Sequence, residues 1–146
     1  MKKQKGPREN SEQFLNTIRE WQKLEDETKR HAEEMLAKTK SSLVRAALEM
    51  IRDDSEKHKA LQQMIIDSLT KEALHLSPDE LAALSDGLNK HMAAEAKSLE
   101  LADEAVKNSE LFSTRFILSL LIADETKHHK LLGNLNELKR AAVMVT

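Results

Sequence analysis

Three glycines and two prolines punctuate 146 residues, and that scarcity constrains the fold more than any other feature. An all-β chain needs a turn about every ten residues and cannot be built from so few breakers. Long helices with few connections remain. Break signals fall at Gly6-Pro7, Thr39 to Ser42, Leu76-Ser77-Pro78 and Asn108-Ser109. Between them lie four charged segments of helical period, at about 11–38, 42–70, 78–107 and 110–140. The third opens on Ser77-Pro78-Asp79-Glu80: a capping serine, a proline suited to the first helical position, and a glutamate that completes a capping box. The links near 39–41 and 108–109 are short, so helices one and two should form an antiparallel hairpin, and helices three and four another.

The length suits one domain with a core that needs no staple. Residues 11–146 are expected to form it, behind a disordered basic tail at 1–10. The chain has no cysteine and no tyrosine. That excludes a disulfide framework, a zinc finger, an iron–sulfur cluster and a thiol nucleophile, and it fits a reducing, cytoplasmic setting. Lys2, Lys3, Lys5 and Arg8 precede any acid, so the net charge of −2 conceals a more acidic body. Such a body argues against nucleic acid as the main partner. No apolar stretch follows the basic start as a signal peptide would require. The most apolar run, Phe116 to Ala123, is too short to span a bilayer. Because it is apolar nearly all round, it is expected to pack in a homo-oligomer, a dimer first, the alternative being a wide core face within the chain.

Sliding the chain by 70 residues lays 21–61 on 91–131 without a gap. Glu25, Ala32, Glu34, Arg45, Leu48, Asp54, Lys57, His58 and Leu61 then meet identical residues at Glu95, Ala102, Glu104, Arg115, Leu118, Asp124, Lys127, His128 and Leu131. This reads as a duplicated helical hairpin.

Each helix also carries a legible apolar stripe. The first runs Phe14, Ile18, Trp21, Glu25, Thr28, Ala32, Met35, and the second Val44, Ala47, Ile51, Asp54, His58, Leu61, Ile65. The third runs Leu81, Leu84, Leu88, His91, Glu95, Ser98, Ala102, Ala105. The fourth runs Leu118, Leu121, Asp124, Glu125, His128, Leu132, Leu135. Acids or histidines interrupt every stripe near mid-length. Inward carboxylates are costly unless an ion or protonated histidines compensate them. Glu125-x-x-His128 is the i, i+3 pair that puts an oxygen and a nitrogen ligand on one helix face.

With those residues in place, the chain resembles the ferritin-like, rubrerythrin-like di-iron carboxylate proteins over about residues 11–140. Its best-matching stretch is Asp124-Glu125-Thr126-Lys127-His128-His129. The resemblance implies an all-α four-helix bundle of two duplicated hairpins with a metal site at mid-bundle. It implies Glu25 and Glu95 as terminal ligands, Glu125 as a bridge, and His58 and His128 as one ligand each. Asp54 and Asp124 would orient histidines. Iron is the expected ion, one or two per chain, with manganese or zinc as alternatives, and reactivity toward oxygen or peroxide is possible in such a site.

One position departs from that pattern. Ser55 stands where Glu125 has its counterpart, so one bridging carboxylate is missing. His91, one turn before Glu95, could supply a replacement nitrogen or simply hydrogen-bond to an acid. His129 is expected at the rim of the site, His31 and His75 at the surface, and Trp21 packed over the site. A ferritin-like crossover also needs a long link between the hairpins, which a break at Gly87 after a short helix over 78–85 would provide. A helix unbroken from Pro78 would instead give an up-down-up-down bundle. The competing reading of the whole chain is a metal-free helical module in which the polar layer fixes register.

Overall fold

The computed structural model describes residues 11–75 and 77–145, with side chains through Arg140. The basic tail expected at 1–10 lies outside the described residues. Among those described, every regular element is helical: α1 (Glu12–Lys38), α2 (Ser42–Thr70), α3 (Pro78–Ala83), α4 (Ser85–Lys107) and α5 (Phe112–Val145). None is long and apolar enough to cross a membrane. The chain divides after Leu74 into two compact units. The first contains the hairpin α1–α2, and the second contains α3, α4 and α5.

The helix starts follow from local chemistry. Ser11, Ser41 and Ser77 each accept a backbone N–H, from Phe14 at 3.1 Å, Val44 at 3.4 Å and Glu80 at 3.4 Å. Each satisfies a donor that has no partner in the first helical turn. At the α1–α2 turn, Arg45 donates Nη1 to the carbonyls of Leu36 at 2.8 Å and Thr39 at 3.3 Å, tying α2 to the end of α1. A short helix does precede α4, as one of the two expectations had it. The interruption falls at Leu84, however, while Gly87 lies inside α4. Leu84 keeps helical dihedrals, and its N–H still reaches the Glu80 carbonyl at 3.2 Å.

Both hairpins close along a seam of seven-residue periodicity. On α1 the covered positions are Leu15, Ile18, Gln22, Glu25, Lys29, Ala32 and Leu36; on α2 they are Leu48, Arg52, Ser55, Gln62, Ile66 and Leu69. On α4 they are Ser85, Leu88, Met92, Glu95, Leu99, Ala102 and Val106. On α5 they are Leu118, Ile122, Glu125, His129, Leu132, Asn136 and Lys139. Each of these seam positions of the first hairpin stands 70 residues from one of the second, although Phe14, Leu43, Arg45, Ala47 and Glu49 are half-buried where their counterparts are exposed. Seventy is a whole number of heptads, so the offset found in the sequence preserves which residues face the partner helix.

This corrects the expected stripes. Trp21, Thr28 and Met35 sit one residue before seam positions, as do Ile51, Leu61 and Ile65, whereas Phe14 is half-buried and packs as expected against Leu15, Ile18 and Ile66. Trp21 is 52% exposed, and Val44, Ile51, Leu61 and Ile65 are exposed as well. Neighbouring residues are about 100° apart round a helix, so two adjacent apolar columns merge into one apparent stripe in a sequence. The inner column forms the seam, and the outer column carries His58 and His128. In the Phe116–Ala123 run, Ile117 and Leu121 are exposed, and Phe116, Leu118, Leu120 and Ile122 are half-buried.

Candidate metal centre

Mid-seam, each hairpin buries a glutamate. Glu25 retains 9% of its exposure and Glu95 8%. Their surroundings differ.

In the first hairpin, Glu25 is met by side chains of α2. Gln62 donates Nε2 to Glu25 Oε1 at 3.3 Å, and His58 Nδ1 lies 3.4 Å from the same oxygen. Ser55, at 4% exposure, stands on the α2 seam. Gln62, at 3%, was not singled out from the sequence, although its place seven residues after Ser55 marks it as a seam position. Glu25, Ser55 and His58 offer only two strong ligands among them. Asp54 is half-buried beside Ser55.

In the second hairpin, a carboxylate oxygen of Glu95, one of Glu125 and a ring nitrogen of His128 all lie within 4.8 Å of one another. His91 Nε2 is 3.2 Å from Glu95 Oε1, and His128 Nδ1 is 3.9 Å from the same atom. Leu132 takes the place that Gln62 holds in the first hairpin. Glu95 Oε2 is buried, with no hydrogen-bond partner among the described residues.

The two carboxylates shift each other's titration in opposite directions. Glu125 is held above the usual carboxylate range, first by its hydrogen bond to Glu95, then by burial and by the Glu95 charge; His128 and Ser98 act the other way. Glu95 is held below that range, first by accepting from Glu125. His91 and His128 reinforce the effect and burial opposes it. Such a pair is what a cation can discharge, since divalent ions bind deprotonated ligands and release their protons.

An open cleft of about 280 Å³ lies over each glutamate layer, lined by Trp21, His58, Leu61, Gln62 and Ile65 in one hairpin and by His91, Glu95, His128, Leu131 and Leu132 in the other. Trp21 thus lines the cleft of its own hairpin beside His58, one helical turn from Glu25, at the position that His91 fills in the second.

The remaining candidates fall outside these layers. Asp124 pairs with Lys127 on its own helix at 3.6 Å, and His31 and His75 are exposed as expected. His129 corrects the reading of a rim residue: it is half-buried on the α5 seam, with Nδ1 buried and without a partner.

No family model, curated protein or solved structure matches this chain.

Proposed function

We propose that this chain is a ferritin-like metal-binding protein whose second hairpin holds the ion through Glu95, Glu125 and His128. The observation that carries this reading is the gathering of a Glu95 oxygen, a Glu125 oxygen and a His128 nitrogen within 4.8 Å of one another around a buried carboxylate. A divalent cation would balance the charge of the two carboxylates. Mixed carboxylate and imidazole donors suit iron, manganese and zinc, with iron first. A redox-active ion there would supply electron transfer to oxygen or peroxide. The chain's part is to hold the ligands on rigid helices, and to keep Leu131 and Leu132 against one side of the cleft.

The ferritin-like duplication is supported by the coincidence of the two seams at an offset of 70 and by corresponding linings of the two clefts. A cytoplasmic setting fits a chain without cysteine. A second copy is the expected cover for Ile117 and Leu121, giving a dimer; a monomer mass in light scattering rules that out.

A second reading rests on the first hairpin. Glu25 is satisfied there by Gln62 and His58 without any ion, so a metal-free interaction module whose polar layer only fixes register is the alternative. Elemental analysis of protein purified without chelator separates the two. We expect about one equivalent of transition metal, lost in Glu125→Ala and His128→Ala while helicity is retained. Under the metal-free reading, both variants change only stability, and no metal binds after anaerobic loading with Fe(II).

A further inference from the structure

We infer that His91 is a direct metal ligand, so that Glu95, Glu125, His128 and His91 form a four-donor site for one divalent ion within the second hairpin. The inference rests on the metal-binding reading above and goes further, fixing the donor set, the charge and the number of ions.

Three observations support it. First, both imidazoles address one atom: His91 Nε2 lies 3.2 Å and His128 Nδ1 3.9 Å from Glu95 Oε1. Bonds of about 2.1 Å place the ligand atoms of a four-coordinate ion ~3–3.5 Å apart; those of Glu95, Glu125 and His128 already lie within 4.8 Å of one another, and the His91 ring must turn from Glu95 toward their common centre. Second, His91 lines the same cleft as Glu95 and His128, and its side chain is 62% exposed. It can rotate about its χ angles without disturbing packing. Third, the set balances: two carboxylates cancel a divalent charge, and two neutral imidazoles complete four donors.

The first hairpin shows the contrast. Trp21, which cannot ligate a metal, occupies the position of His91, and Ser55 occupies that of Glu125. Both changes remove donors from the same hairpin. The missing bridge therefore does not leave a damaged two-ion centre; the donors are gathered in one hairpin, where they suffice for one ion.

Cobalt(II) is a suitable probe, because its visible d–d bands report the donor set. The metal-free full chain is titrated anaerobically as wild type, His91→Ala and His128→Ala, with helicity checked by circular dichroism. We expect one equivalent to bind the wild type. His91→Ala should raise the dissociation constant by more than about 100-fold, beyond the 10- to 100-fold typical of losing an outer partner. It should also change the d–d bands, and added imidazole should restore them. If His91→Ala keeps the wild-type bands, with or without a weaker affinity, or if imidazole restores nothing, His91 only hydrogen-bonds to Glu95 and the inference is overturned. In that event a loss of binding in His128→Ala leaves the metal-binding reading standing, and unchanged binding in His128→Ala ends it too. A wild type that takes up no cobalt overturns both, and two tight equivalents overturn the one-ion site.

Discussion

Glu25 and Glu95 occupy the same place on two similar seams, yet their partners differ. Gln62 donates to Glu25 and His58 stands beside it. Around Glu95, Leu132 takes the place of Gln62 and donates nothing, His128 takes that of His58, His91 takes that of Trp21, and Glu125 stands at the place of Ser55 and competes for a proton. Three positions account for the difference: Ser55 against Glu125, Gln62 against Leu132 and Trp21 against His91. A buried carboxylate can be satisfied by an amide, which needs no ion and closes the layer. It can instead be set against a second carboxylate, which leaves the layer open to a cation. The first arrangement favours a self-sufficient hairpin, and the second makes stability depend on what is bound.

Converting the first layer into the second tests this most severely. Ser55→Glu places a carboxylate at a position only 4% exposed, against Glu25. Without metal it should cost about 3 kcal/mol in chemical denaturation. Adding Gln62→Leu frees Glu25 from its amide partner. The double variant should regain stability with Fe(II) or Co(II) and bind more metal than wild type. If Ser55→Glu is neutral in chelator, the two layers are not distinguished by carboxylate pairing.

A smaller effect concerns the apolar ends of the seams. Leu15, Ile18, Ala32 and Leu36 are all buried on α1, whereas Glu95 is the one buried residue of α4. Leu36→Ala should therefore cost about 3 kcal/mol and Val106→Ala about 1 kcal/mol. Equal costs in parallel urea titrations would mean that the second seam is as tightly packed as the first.

The helices, the hairpin connections and the 70-residue correspondence were legible in the sequence, because breakers are few and period and spacing survive substitution. The group Glu95, Glu125 and His128 was legible for the same reason, through the recurrence of Glu95 and His128 at Glu25 and His58. The inner face was not. Trp21 and Ile51 look as apolar as Ile18 and Leu48, and a single-chain pattern does not say which of two adjacent columns another helix will cover. Gln62 was missed and His129 was set at the rim on that account: each lies on the covered column, next to Leu61 and His128 on the exposed one.

The subtlest test is the sign of a pH dependence, measured in chelator. The ordinary value of a glutamate here is 4.5, and folding moves Glu125 above it and Glu95 below it. The raised group contributes stability that is fully present below 4.5 and is lost as pH rises through the folded value. The lowered group contributes stability present above 4.5 and lost as pH falls through its own folded value. Near 4.5 the two oppose each other. Between 4.5 and the raised value of Glu125, the folded pair keeps a proton that the unfolded chain has released. Rising pH then weakens the fold. Glu125→Gln carries an amide that can still donate to Glu95 but does not titrate, so this loss disappears. The denaturation midpoint of Glu125→Gln should gain on wild type as pH climbs above 4.5, with other titrating groups cancelling in the difference. A difference that stays flat or falls over that window would show that the two carboxylates do not shift each other's titration. The second layer would then be no more open to a cation than the first.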